Sequence, residues 1–122
     1  MRPLLANLFL CLLVINPVRA AASNLQLLVA HDTSCGDFAR WQSEIGPGYA
    51  ESNVGRAAPL LSVNIQGPWP NGLALASAPR QTPTFILLRN GQEIGRIEGY
   101  GDANRFLAQL NSLMKQDHSA AR

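Results

Sequence analysis

The chain has 122 residues, of which 47% are hydrophobic and 15% charged, with a formal net charge of +2. That length accommodates one small domain with a core that just suffices, and excludes a multidomain architecture. The basic residues Arg40, Arg56, Arg80, Arg89, Arg96, Arg105 and Lys115 are scattered and form no stripe, which argues against a nucleic-acid partner.

The first residues read as an address. Arg2 supplies a positive start, Leu4 to Ile15 form an apolar run broken only by Asn7, and small residues follow at Ala20, Ala21 and Ala22. A run this short falls below the roughly 20 residues that cross a bilayer, so the pattern predicts a signal peptide over 1–22, cleaved near 20–22, with no lasting membrane association. Removing residues 1–20 takes away Arg2 and Arg19 and leaves 8 basic against 8 acidic residues, a net charge near zero. Cys11 leaves with this segment. The exported remainder keeps Cys35 alone, which cannot close an internal disulfide in an oxidising compartment.

Leu25 to Ala30 is a nearly continuous apolar run of the kind a strand buried on both faces shows. The polar turn His31-Asp32-Thr33-Ser34 follows, with Thr33 and Ser34 able to cap a helix that begins near Cys35. Phe38, Trp41, Gln42 and Ile45 then recur at helical spacing until Gly46-Pro47-Gly48 ends the pattern. Leu60 to Ile65 predicts a second strand, and the proline-rich 67–72 segment a loop, with a short helical turn expected over Leu73 to Ala78. Thr84 to Arg89 and Gln92 to Ile97, joined by Asn90-Gly91, predict a hairpin, because both turn positions need positive φ. Asp102 can cap a last helix whose stripe is Phe106, Leu107, Leu110, Leu113 and Met114. The domain is expected over 23–116, with a flexible tail over 117–122.

Strand, helix and strand at the start require a parallel pair, and the hairpin adds antiparallel strands to the same sheet. The expected class is α/β, a mixed four-stranded sheet flanked by helices on both faces. A cysteine at the first turn of a helix sits where unsatisfied backbone N–H groups and the helix dipole favour negative charge, the setting of a nucleophilic thiolate.

Ser34-Cys35-Gly36-Asp37-Phe38 at a helix start, together with Gln81-Thr82-Pro83-Thr84-Phe85 opening a later strand, resembles a thioredoxin. The resemblance spans roughly residues 24–115. Ala39-Arg40-Trp41, Gly55-Arg56-Ala57-Ala58-Pro59-Leu60 and Gly95-Arg96-Ile97-Glu98-Gly99-Tyr100 look like the periplasmic SoxS-type thioredoxins of bacterial sulfur-oxidation systems. It implies a thioredoxin-like fold, a cis Thr82–Pro83 peptide against Cys35, and thiol-disulfide exchange in the periplasm. It also implies Cys35 as the catalytic residue, with Thr82 and Pro83 meeting the substrate; Trp41, on the inner face of the helix, is a candidate for the same substrate surface, shielding the thiol, or else a core anchor.

Relatives carry C-x-x-C, and here Phe38 occupies the second position, which removes the resolving thiol and excludes the two-cysteine cycle. Cys35 is left as a monothiol whose mixed disulfide an external thiol must clear. The expected partners are a thiol- or disulfide-bearing periplasmic protein and that external thiol. The alternative is a binding or regulatory module that uses the same groove without chemistry. Phe38 is expected in the core, His31 either tunes Cys35 or is a plain turn residue, and Trp69 is a candidate docking aromatic. His31, Asp32 and Cys35 are the only local ligand types, too few for a metal, and no cofactor is expected.

Overall fold

The computed structural model describes residues 24–120, so the expected signal segment 1–22 and the last two residues lie outside it. Four strands form one mixed sheet in the order β2-β1-β3-β4: β1 is Leu25–His31, β2 Leu60–Asn64, β3 Thr84–Arg89 and β4 Gln92–Glu98. The central β1 pairs parallel with β2, from Leu27 opposite Leu60 to His31 opposite Asn64, and antiparallel with β3, from Leu25 opposite Arg89 to Ala30 opposite Thr84. The predicted mixed four-stranded sheet is therefore the observed one.

The helices are α1 (Gly36–Glu44), α2 (Gly46–Tyr49), α3 (Asn53–Ala57) and α4 (Ala103–Ala120). The two short ones were not expected. Pro47 sits in the first turn of α2, where its missing N–H costs nothing, and Ser52 caps α3 by accepting the Gly55 N–H at 3.0 Å. Breaker residues that end α1 thus begin the next helix.

Because side chains alternate across a strand, β1 feeds two cores. Leu25, Leu27 and Val29 join Phe85 and Leu87 beneath Phe38 and Trp41 of α1 and Phe106 and Leu110 of α4. Leu28 and Ala30 join Ile86, Leu88 and Val63 on the opposite face, against Leu61, Ile65, Trp69, Leu73 and Leu75. Both long helices lie on the first face, so the expectation of helices on both faces is corrected. Strand and loop residues cover the second, and the helical turn expected over Leu73 to Ala78 is absent: Ala74 instead bridges in parallel to Gln92. Its N–H reaches the Gly91 carbonyl at 2.8 Å and its carbonyl accepts the Glu93 N–H at 2.9 Å, so these backbone groups bond to the hairpin and not to one another.

The hairpin turns where the sequence placed it, with Asn90 at φ 51° and Gly91 at φ 82°. Asp102 caps α4 as expected, accepting the Arg105 N–H at 2.9 Å. Helix α4 packs so closely on β4 that a Cβ at Gly95 would stand 2.5 Å from Leu113 Cδ2. The boundary expected at residue 116 is overrun, since α4 continues to Ala120. Asp117 is buried and accepts two bonds from the Arg89 guanidinium, one of them from Nε at 2.7 Å, which ties the final turns of α4 to the end of β3.

Candidate functional site

The end of β1 and the start of α1 are joined by a turn that Asp32 shapes. Its Oδ1 accepts from both the Ser34 N–H and the Ser34 hydroxyl, each at 3.0 Å, and these bonds hold the Asp32 carboxyl below its ordinary range. Its carbonyl accepts the Cys35 N–H at 3.0 Å. Neither Thr33 nor Ser34 caps the helix as expected: Cys35 is itself the N-cap residue, with φ −84° and ψ 119°, and its side chain makes no capping bond. The chain forgoes a cap worth about 1 kcal/mol and places a thiol at the helix start in its stead.

The first intrahelical bond runs from the Ala39 N–H to the Cys35 carbonyl, so the N–H groups of residues 36–38 lie unclaimed by the helix around the thiol's end of it. The Cys35 thiol is partly buried and donates to the Thr82 carbonyl at 3.3 Å, a contact between residues 47 apart in sequence. Thr82–Pro83 is a cis peptide, and Pro83 is fully buried at the head of β3. Cys35, Thr82 and Pro83 are therefore brought together as the sequence reading anticipated. The hydroxyl of the buried Thr84 donates to the Gln81 carbonyl at 2.7 Å, and the Pro83 carbonyl accepts the Gly99 N–H at 2.8 Å, which holds this segment from both sides.

Phe38 is buried, as expected, and stacks on His31 with ring centroids 4.6 Å apart and planes 10° apart. His31 thus joins the wall of the site through its ring, while its Nδ1 is buried without a partner among the described residues. Of the two places considered for Trp41, the substrate surface and the core, it occupies the core: it is 1% exposed and lies at the centre of an aromatic cluster, with ring centroids 5.2 Å from Phe85, 5.9 Å from Phe106 and 6.2 Å from Phe38. A side chain so enclosed cannot meet a substrate; it anchors α1 to the sheet. Trp69 is half-buried on the opposite sheet face, its indole N–H donating to the Ile65 carbonyl at 3.3 Å, which makes it part of the loop's own packing.

One contributor escaped the sequence reading. Arg40, one turn into α1, donates to the carbonyls of Gly101 at 2.9 Å and Tyr100 at 3.1 Å, pairs with Asp37 at 3.1 Å and lies 5.0 Å over the Tyr100 ring. It clamps the helix that carries Cys35 to the segment after β4. Its partners beyond the helix are some 60 residues away, and no local pattern announces them.

No family model matches the chain, and no curated protein matches it. Among solved structures, the chain is similar to the periplasmic thioredoxin SoxS from Paracoccus pantotrophus in its reduced form, at 39% identity and a TM-score of 0.75, over 77% of this chain and 99% of that one. It also resembles in fold the thioredoxin-2 of the malaria parasite, described as a component of protein secretion machinery, at 19% identity and a TM-score of 0.55, over 80% of this chain and 90% of that one. With a cysteine at the start of a helix, a cis-proline segment against its sulfur and near-complete coverage of a relative at 39% identity, the chain belongs to the thioredoxin-like family and stands close to SoxS within it.

Proposed function

We propose that the chain is a periplasmic thiol-disulfide exchange protein that acts through one thiol, Cys35, in a role linked to sulfur oxidation. Kinship to a periplasmic thioredoxin supports a redox role, and the observation that carries the reading is the Cys35 thiol held 3.3 Å from the Thr82 carbonyl beside cis-Pro83. The Cys35 thiolate attacks one sulfur of a partner disulfide, forms a Cys35–partner disulfide and displaces the second sulfur as a thiolate that takes up a proton. With Phe38 where a resolving cysteine would stand, no second thiol of the exported chain can break that bond. An external thiol attacks as thiolate, forms a disulfide to one of the two sulfurs and releases the other as a thiol.

The test is disulfide trapping with the full chain carrying Cys11→Ser, so that Cys35 is its sole thiol. Incubation with a disulfide-bearing protein should give a non-reducing band that an added thiol clears, and the further Cys35→Ser change should abolish it. Serine at the N-cap adds a capping hydroxyl, so that variant should fold at least as stably and serve as a clean control. Equal partner retention with and without Cys35 would select the binding module instead.

A further inference from the structure

We propose that the outer edge of β2 is a self-association surface, on which a second copy of this chain lays its own β2 antiparallel and joins the two sheets into one. The strand order leaves β2 with β1 as its only neighbour in the sheet. The Pro59 carbonyl accepts the Leu27 N–H at 2.9 Å, and the Ile65 N–H donates to the His31 carbonyl at 2.8 Å. Backbone groups alternate sides along a strand, so residues 59, 61, 63 and 65 face β1, while Leu60, Ser62 and Asn64 turn theirs outward. Of these outward groups only the Asn64 carbonyl has a partner among the described residues, the Gly67 N–H at 2.8 Å.

The two edges of the sheet differ. At its start β4 is crossed by the Ala74 bridge, and along its length it carries Glu93, Arg96 and Glu98, the cover and charge by which sheets blunt an edge. Nothing of the kind guards β2. No residue from Pro59 to Ile65 is charged, and Leu60 is one of the two large apolar side chains left exposed among the described residues. An uncharged edge meets its own copy without the like-charge repulsion that opposes pairing.

The register names the occupant. Antiparallel pairing centred on Ser62 sets Ser62 opposite the copy's Ser62, and Leu60 opposite the copy's Asn64 in both directions. These are the outward residues, and each such pair exchanges both N–H···O bonds. Leu61 then stands opposite the copy's Val63, on the face where both already pack with the second core, and such pairs bring side chains closest. A foreign strand would have to supply this match, whereas the copy brings it already ordered in a sheet, which lowers the cost of docking. About eight residues a side bury roughly 500–600 Å² in all, well under the about 1,200 Å² of a standing complex, so the dimer forms at high concentration and parts on dilution. Since β1 and β2 run parallel, Cys35 lies at the Asn64 end of β2. The twofold axis sends the two thiols to opposite ends of the joined sheet, and association is independent of exchange at Cys35.

The experiment is sedimentation equilibrium of the full chain carrying Cys11→Ser and Cys35→Ser, which can form no disulfide. Its average mass should rise toward twice the monomer's between about 10 μM and about 1 mM. Ser62→Pro removes the central outward N–H without touching a bond to β1, a place where an edge strand tolerates proline. It should weaken association about tenfold or more, and Ser62→Thr should leave it unchanged. Cysteines read the register in the same background. Ser62→Cys, with Cα atoms about 5.5 Å apart across the axis, should oxidise to a covalent dimer about tenfold faster than Leu60→Cys or Asn64→Cys, each about 14 Å from its own copy. A mixture of those last two should cross-link. If Ser62→Pro fails to fold by circular dichroism, the cysteine series decides. A chain that stays monomeric up to about 1 mM overturns the proposal and leaves the edge to an extended segment of another protein. Undiminished association of a folded Ser62→Pro form, or equal oxidation of the three cysteines, overturns it by placing the contact elsewhere.

Discussion

Trp41→Phe should leave stability nearly unchanged, although the side chain is 1% exposed and sits at the centre of the larger core. Two terms oppose the substitution. The smaller ring gives up roughly 50 Å² of burial, about 1.3 kcal/mol at 25 cal/mol per Å². If nothing collapses, it also leaves roughly 40 Å³ empty, about 1 kcal/mol more. One term favours it. The Trp41 Nε1–H is buried without an acceptor among the described residues, and removing such a donor relieves a penalty of about 1–3 kcal/mol. The sum falls within about 1 kcal/mol of zero. Trp41→Ala removes the whole ring from contact with Phe85 and Phe106 and should cost about 3–5 kcal/mol. Urea unfolding followed by far-ultraviolet circular dichroism reads both variants. A cost above about 3 kcal/mol for Trp41→Phe would refute the reasoning, because it would mean that the indole N–H has an acceptor in solution. Trp41→Phe should also form the trapped disulfide at Cys35 at the parent rate, as an anchor does and a substrate contact does not.

Phe38→Cys, in the same Cys11→Ser background, should leave the chain with no bound thionitrobenzoate after reaction with a dithiobis-nitrobenzoate reagent, since a second thiol one helical turn from Cys35 displaces the first adduct and closes a disulfide; a chain that keeps adducts, read by mass, would show that the two sulfurs cannot meet. Burial raises the pKa of both tyrosines, and that of Tyr100, which also bonds Glu44, is pushed up to about 12. A folded pKa above the unfolded one stabilises the fold below about pH 10, a contribution lost as the pH rises toward 12. Absorbance at the tyrosinate band should therefore stay flat through pH 10 in the folded chain, and an ordinary tyrosine titration there would contradict it. The ion pair with Arg96 and the Ala76 N–H hold Glu93 below the usual carboxylate range. Its stabilisation is present above the unfolded value and disappears as the pH falls through the folded one. Glu93→Gln should thus lower stability at pH 7 and weaken its fall on acidification, as read by urea midpoints across pH 3–7; parallel profiles would discard the argument.

What could be read in advance divides by the range of the forces involved. The Asn90-Gly91 turn was legible because positive φ at two adjacent residues is a local demand. That Cys35, Thr82 and Pro83 would come together was implied by the resemblance to thioredoxins and not by any local pattern; the sheet order brings it about by placing the head of β3 beside the end of β1. Trp41 was left between the substrate surface and the core because helical spacing marks a face without saying how deep it lies. The continuation of α4 past residue 116 depends on Asp117 meeting Arg89, 28 residues away, which no window of sequence contains. The helices α2 and α3 were missed for a different reason: glycine and proline act as breakers inside a helix, yet proline is well placed in its first turn.

The unequal covering of the sheet has a further consequence. The face lined by Leu28, Ile86 and Leu88 is shielded in part by the segment around Trp69, Leu73 and Leu75, which has no helix of its own. That segment is pinned to the hairpin by the Ala74 bridge, the Ala76 N–H on Glu93 and the Ser77 carbonyl on Arg96. A cover held by so few backbone ties should open before the aromatic core on the other side, so its amides should exchange with solvent faster than those of β1 and β3. Cys35 is tied to Thr82 on the side of the aromatic core, so amide exchange in α1 should be slower than in the cover if the two faces open separately.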